Sequence, residues 1–394
     1  MSYTGANSVT EPGAAGGPQA VQALIAEDRL EAADEALNGL LAATPGSLAL
    51  LALKARLLRE LGRFDEAFAL QTALVQAVPG DFALRFDLAE SLLLRGEFGR
   101  GWREYGHRYR LPHTQHLERK VQTPRWDGRP LKGRRILIHD EQGYGDTFQF
   151  LRLVERAKAR GGDVILQAHP DVLPLARTVA GYDQLIARGD LPPPFEFHCE
   201  LMSLPKALDL TLPDLPGPIP YLAPDAAFVR RWRARLETLP RPWVAVAWAG
   251  AAIHLRDRHR SLELAQLTPL ATAGVSLLSI QKGPKAVQAT APPSGLAVVD
   301  LGAEISSFDD TAAILSLADL LISVDSSPVH LAGALGRPVW ALIPFVPDWR
   351  WLLGRSDSPW YPTMQLYRQS SRGDWTDTIA RLAADLARFR QGAR

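Results

Sequence analysis

The apolar and polar positions of this chain follow two different patterns. Its first third repeats, and the remainder alternates. From Arg135 onward, short apolar runs are separated by helical stretches. The runs Arg135–His139, Val164–Gln167, Trp243–Trp248, Ser276–Gln281, Ala297–Asp300, Leu320–Val324 and Val339–Ile343 predict strands. Strands alternating with helices predict parallel α/β sheets. Proline clusters at Leu191–Phe195 and Leu212–Pro220 interrupt the pattern, and Pro240-Arg241-Pro242 restarts it. The division predicts two Rossmann-like lobes, residues 133–239 and 240–394. The last stretch, Trp375 to Arg390, carries Leu382, Leu386 and Phe389 on one face. It predicts a terminal helix that packs back across the lobes.

Residues 20–113 contain a period of 34 residues. Asp28-Arg29-Leu30-Glu31-Ala32-Ala33 aligns with Gly62-Arg63-Phe64-Asp65-Glu66-Ala67 and with Gly96-Glu97-Phe98-Gly99-Arg100-Gly101. Prolines close the units at Pro45, Pro79 and, one residue late, Pro112. A turn, then Leu or an aromatic, then a small residue at this period resembles the tetratricopeptide repeat (TPR). The small residue lets two helices approach closely. Stacked helix pairs form a concave groove that binds a peptide or buttresses a neighbour. Residues 1–19 are small, polar and Gly-rich and read as a disordered lead-in. Residues 114–132 are a basic connector.

Composition narrows the class of partner. The chain has 394 residues, enough for several cores, and 46% hydrophobic and 22% charged residues fit a soluble globular protein. Its 44 basic and 43 acidic residues leave no global field for nucleic acid or an anionic membrane. A single cysteine, Cys199, excludes an internal disulfide framework and fits a reducing compartment. No stretch approaches the ~18 apolar residues of a membrane span, and no signal peptide opens the chain. The expectation is a cytoplasmic protein.

The segment Leu320 to Pro338 is the most informative for chemistry. It reads as a buried strand, a polar turn and a short helix of small residues ending at Gly336. Ser326 or Ser327 can cap that helix, and Pro328 suits its first position. Free N–H groups and the positive end of the dipole then make a phosphate seat, or the segment is an ordinary strand–helix turn. Ala332, Gly333 and Ala334 would bring the helix close to the sheet. In the first lobe, strand Arg135–His139 is followed by Glu141-Gln142-Gly143-Tyr144-Gly145-Asp146. It is not a full dinucleotide fingerprint, and the second strand ends without an acidic ribose ligand. Asp146 falls at a helix N-terminus, as a general base or as a cap. Glu141 is a second carboxylate on the same turn.

After strand Trp243–Trp248, a loop carries His254, Arg256, Arg258, His259 and Arg260. It is a solvated charge run or a clamp on a diphosphate, with Arg260 the preferred arginine and His254 a polar contact. Lys282, at the end of the next strand, would add a point charge. Neither an Asp-x-Asp nor a His/Cys cluster of ligand spacing is present, so no metal and no cofactor is expected. Asp310 and Thr311 head a helix that contacts sugar or ribose hydroxyls, or they cap it. Asp348 and Trp349 in Pro347-Asp348-Trp349-Arg350-Trp351, with Ser358-Pro359-Trp360-Tyr361-Pro362 beyond, face a carbohydrate or lie buried between lobes.

Five ordered blocks, at 141–150, 248–261, 323–340, 347–351 and 358–362, together resemble bacterial TPR glycosyltransferases with a heptosyltransferase-like catalytic region. The flagellin glycosyltransferases of some alphaproteobacteria are of this type. The resemblance covers nearly everything after residue 20. It implies helical repeats followed by a GT-B fold, with a nucleotide-sugar donor bound mainly by the second lobe and a protein acceptor, flagellin among the candidates, recruited by the TPR groove. Asp146 then sits where the catalytic carboxylate lies, Asp325, Ser326, Ser327 and His330 on the donor diphosphate motif, and Lys282 on a phosphate-facing position. Glu141, Gln142, Asp310, Thr311, Asp348 and Trp349 are the expected sugar or acceptor contacts. Ala251 stands where the family commonly has Asn, and Ser326 where Thr is usual. The implied activity is inverting and metal-independent transfer. The alternatives are a glycan or lipopolysaccharide heptosyltransferase, and a non-catalytic scaffold that senses a sugar nucleotide.

Overall fold

The computed structural model describes residues 17–392 except 113, 254–255 and 272–274. The lead-in lies almost wholly outside the described residues. The chain divides into two compact units, one ending at Leu88 and one beginning at Ala89.

Six helices open the chain: α1 (Pro18–Ala26), α2 (Leu30–Ala43), α3 (Leu48–Glu60), α4 (Phe64–Ala77), α5 (Phe82–Leu94) and α6 (Phe98–Tyr105). The 34-residue interval recurs in their starts, at Leu30, Phe64 and Phe98 and again at Leu48 and Phe82. The turns that set this phase share one backbone state. Asp28, Gly62 and Gly96 have φ of 64°, 75° and 80°. After each, an N–H returns to a carbonyl of the preceding helix: Arg29 to Leu24 at 2.9 Å, Arg63 to Leu58 at 2.8 Å, Glu97 to Leu92 at 2.9 Å. A left-handed residue closes a helix in this way, and glycine or aspartate adopts it at least cost. In the first unit, Val21, Leu30, Ala33, Leu37, Leu50 and Leu57 form one core and Ala55, Leu74 and Leu84 another.

The second unit contains α6 and two parallel sheets. The first sheet has β1 (Arg135–His139), β2 (Asp163–Ala168), β3 (Gln184–Ala187) and β4 (Phe197–Glu200), in the order β3-β2-β1-β4. The second has β5 (Trp243–Ala247), β6 (Ser276–Ser279), β7 (Val298–Asp300), β8 (Leu320–Val324), β9 (Val339–Ile343) and β10 (Met364–Arg368), in the order β10-β9-β8-β5-β6-β7. Every strand pair in both is parallel. Between the strands lie α7 (Tyr144–Phe150), α8 (Val154–Lys158), α9 (Leu173–Ala176), α10 (Leu204–Ala207), α11 (Ala226–Leu236), α12 (Asp257–Arg260), α13 (Phe308–Leu317) and α14 (Ser327–Ala334). The terminal helix is α15 (Thr376–Gly392); its Leu382 and Leu386, with Phe389 beside them, join the core of the second lobe.

Strands β3, β4 and β10 were not predicted. Each is short and mixes polar with apolar residues (Gln184; His198 and Glu200; Gln365 and Arg368), so no continuous apolar run marks it. In each sheet the strand order reverses once, between β1 and β4 and between β5 and β8. At such a reversal the two connecting chains leave in opposite directions and open a crevice at the carboxyl ends.

Aromatic side chains join α6 to both lobes. Trp102 meets Phe150 of the first lobe edge-on at 6.2 Å and Trp349 of the second at 5.2 Å, and Phe98 stacks on Trp360 at 5.7 Å. Gly101 permits the close packing of α6 on α5, since a Cβ there would lie 2.6 Å from Leu93 Cδ2.

Candidate functional site

The site lies where the first turns of α7 and α14 meet. Strand β8 ends at Val324, and Asp325, Ser326 and Ser327 turn the chain into α14. Ser326 is the residue before the helix, but its hydroxyl turns back to the carbonyl of Val324 at 3.2 Å rather than capping it. Gly145 of α7 rests on this turn: a Cβ on it would lie 2.9 Å from His330 Cδ2 and 3.6 Å from Ser327 Cα. Glycine is required there because any side chain would push the two lobes apart. Phe308 of α13 locks the same contact, against Tyr144 at 4.8 Å and Phe148 at 5.0 Å.

Around this meeting point the structure gathers Asp146, Asp325, His330, Arg260 and Asp348. Arg260 Nη1 donates to the carbonyl of Asp325 at 2.7 Å, and its Nε donates to Asp257 Oδ1 at 3.2 Å. Asp146 Oδ2 accepts the N–H of Gly143 at 3.0 Å, and its Oδ1 accepts from Arg350 Nη2. Arg350 was not predicted. Its Nη1 also donates to Asp348 Oδ1 at 2.9 Å and its Nε to Gln149 Oε1 at 2.7 Å. Burial alone would weaken its charge, but the carboxylates of Asp348 and Asp146 hold its pKa above the ordinary value. Burial, reinforced by the carboxylate of Asp348, pushes Asp325 up to about 6 against the pull of Arg260 and Arg350. Burial and Arg350 push His330 down to about 3, so its ring is neutral; it stacks on Trp351 at 5.5 Å and meets the hydroxyl of Tyr361 at 3.1 Å.

The other expected contacts lie elsewhere. Glu141 has a side chain only 1% exposed, bound by Arg108 at 2.7 Å and by Tyr109. It is one partner of a buried ion pair joining the segment after α6 to the first lobe, not a free carboxylate on the turn. Asp310 is buried, and its oxygens accept from Trp232 Nε1 at 2.9 Å, from Arg231, and from the N–H and hydroxyl of Ser306, both at 2.8 Å. Together with Ser307 it is the cap of α13, and no lone pair remains for a sugar. Thr311 is also buried, its hydroxyl on the carbonyl of Ser307 at 3.4 Å. Trp349 is 2% exposed within the aromatic cluster, so its ring is packed and not presented to a carbohydrate. Lys282 is exposed, but its ammonium sits on the carbonyls of Gly302 and Ile305, 2.9 Å from each. Gln142 is half-buried on the turn before α7. His254 lies outside the described residues.

A second polar group lies at the reversal of the first sheet. His139 ends β1, and His198 and Glu200 come from β4; their ligand-type atoms lie within 4.8 Å of one another, all buried. His139 Nε2 and His198 Nδ1 have no hydrogen-bond partner, although His198 Nδ1 lies 3.9 Å from Glu200 Oε1. This is a metal-ligand set that spacing in the sequence could not reveal. The carboxylate of Glu200, however, is held on both oxygens by Arg125 (2.8–3.2 Å), and burial is offset until its pKa falls to about 2. A divalent cation would add its charge to a carboxylate already neutralised by a guanidinium, which weighs against binding.

The second-lobe half of this site carries the signature of a glycosyltransferase. Residues 263–343 match the model of glycosyltransferase family 9 (heptosyltransferase). The matched stretch runs from before β6 through β9 and contains Lys282, Asp325, Ser326, Ser327 and His330, so the domain around α14 is of glycosyltransferase type. Among curated proteins, Protein FlbA of Caulobacter vibrioides is 27% identical over 360 residues, covering 84% of this chain. The chain spans 60% of that relative's length. Among solved structures, the ADP-heptose lipopolysaccharide heptosyltransferase II of E. coli is 14% identical over 65% of this chain and 99% of its own, with a TM-score of 0.49. The family 9 glycosyl transferase of Veillonella parvula is 13% identical over 62% of this chain and 88% of its own, with a TM-score of 0.46.

Proposed function

We propose that this chain is an inverting glycosyltransferase that moves a sugar from a nucleotide-activated donor to a protein acceptor held by the N-terminal helical repeats. The observation that carries the reading is that Gly145 rests on Ser327 and His330, which sets the next residue, the carboxylate Asp146, beside the turn Asp325–Ser327; that turn, and not Asp146, lies inside the stretch that matches family 9. The donor phosphate is held at the first turn of α14 and by Arg260, whose guanidinium already touches that turn. These groups offset the charge that grows on the leaving phosphate. Asp146 accepts the proton of an acceptor hydroxyl as the oxygen attacks the anomeric carbon; the carbon–phosphate oxygen bond breaks and the configuration inverts. The neutral ring of His330 is a hydrogen-bonding contact rather than an acid in this scheme.

The acceptor follows from the repeats. Their 34-residue period persists in the helix starts, and a groove of this kind suits an extended polypeptide, flagellin being the candidate named by the resemblance. A second reading, transfer of heptose to a glycan, is favoured by the family description itself. Thermal-shift titration with CMP, UDP, GDP, ADP and their sugar conjugates tests the donor site: a ligand at 100 times its Kd adds about 2.7 kcal/mol. Asp146→Asn is expected to abolish transfer and leave nucleotide binding nearly unchanged. Equal loss of both would make Asp146 a helix cap. Transfer to a glycan that survives removal of residues 20–113 would favour the second reading.

A further inference from the structure

We propose that Arg350 positions the base: it holds Asp146 in one orientation and keeps it ionised, acting across the lobes. The inference rests on the glycosyltransferase reading above. All three guanidinium nitrogens are engaged by groups of this site, namely Gln149 Oε1, Asp348 Oδ1 and Asp146 Oδ1. Asp146 and Gln149 stand three apart on α7 and so share one face. A single side chain from the second lobe therefore grips one face of a helix of the first. Only a planar fork can meet three acceptors in this way; an ammonium is a point charge.

Arg350 is itself fixed from three sides. Its N–H bonds Asp348 Oδ1 at 3.0 Å, its carbonyl accepts Trp360 Nε1 at 3.0 Å, and its guanidinium lies 4.1 Å from the ring of Trp349. Only 8% of it is exposed. The tryptophan-rich segment, which the sequence left as a carbohydrate face or a buried lobe contact, thus serves to seat this arginine. Arg350 takes one oxygen of Asp146 and Gly143 donates to the other. The plane of the carboxylate is thereby fixed, and with it the direction from which an incoming proton is accepted.

The test compares the full chain with Arg350→Met, Arg350→Lys and Asp146→Asn. Carbon-13 NMR of protein labelled at aspartate carboxyls follows Asp146, identified by the resonance that Asp146→Asn removes. Arg350→Met is expected to move its titration midpoint up by about one to three pH units. Arg350→Lys keeps the charge but loses the fork. Its midpoint should move by less than Arg350→Met, while turnover of whichever ADP-, UDP-, GDP- or CMP-sugar is active falls by about tenfold to a hundredfold. An unmoved midpoint in Arg350→Met overturns the proposal. Should that variant fail to fold, full turnover by Arg350→Lys at every pH overturns it. Full activity of Asp146→Asn would show that Asp146 is not the base and would overturn the proposal; no turnover of any nucleotide sugar by the parent chain would instead sink the glycosyltransferase reading and leave the NMR comparison standing.

Discussion

Gly333→Ala is the most direct probe of how closely α14 is packed behind the site. The sequence suggested that its small residues face the sheet, but at Gly333 the close neighbour is an aromatic ring. A Cβ there would lie 2.4 Å from Cδ1, 2.5 Å from Cγ and 2.8 Å from Cε1 of Tyr361. Carbon atoms rest at about 3.5–4.0 Å, so the ring would have to yield by about 1 Å. Tyr361 is fully buried, lies 4.7 Å from the Arg152 guanidinium and meets His330 Nδ1 at 3.1 Å, so it has little room to yield. Overpacking of this kind costs about 1–3 kcal/mol. The better helix propensity of alanine returns about 1 kcal/mol, leaving a net loss of up to about 2 kcal/mol. Urea denaturation should show a lower midpoint at unchanged slope. Combined with Tyr361→Leu, which removes the obstacle, Gly333→Ala should cost less than it does alone, a coupling well above the ~0.3–0.5 kcal/mol of independent sites. If Gly333→Ala stabilised the protein by the full helix-propensity increment, and the pair were additive, the proposed contact would not exist.

Two more outcomes follow from the geometry. Asp325 titrates at about 6 in the folded protein against an ordinary 3.8, so the folded state binds its proton more tightly. Its contribution to stability is fully present below 3.8 and is lost as pH rises through 6. Asp325→Asn should therefore melt above the parent at pH 7.5 in donor-free protein, with the gap closing toward pH 4; a gap that widens in acid would contradict a buried, neutral-favouring carboxyl. Gly128→Ala places a Cβ 1.7 Å from the carbonyl oxygen of Ala207 at a φ of +91°, a clash with backbone. A loss of about 4 kcal/mol or more is expected, read as loss of soluble protein or a collapsed urea midpoint; a normal midpoint would show that the segment before β1 is not seated on α10.

How far the sequence was legible depended on whether the determining contacts were local. The strands Arg135–His139, Leu320–Val324 and Val339–Ile343 have in the structure the bounds their apolar runs predicted, because a strand buried on both faces needs no alternation. The carboxylates Asp146 and Asp325 were readable for a similar reason: each lies between a strand and the body of the next helix, Asp146 in the first turn of α7 and Asp325 just before α14. For Asp310 and Trp349 the sequence left two readings open, because their burial by Trp232 and by Trp102 is decided by residues far away in the chain. Arg350 escaped for the same cause. Its partners on α7 lie 204 and 201 positions back, and no periodicity spans such a distance.

Arg152 bears on how the lobes can move. From the first lobe it donates to the carbonyl of Pro216 at 2.9 Å and the hydroxyl of Tyr221 at 2.9 Å, both in the segment leading to β5. It also donates to the carbonyl of Trp360 in the second lobe at 2.8 Å. Sliding one lobe over the other would break the bond to Trp360, while the two to the segment leading to β5 stay within the first lobe. Rotation about the guanidinium would keep all three. A jaw turning on this arginine would open its bite between α7 and α14, where Gly145 now rests on Ser327 and His330, and would part Arg350 from Asp146 and Gln149.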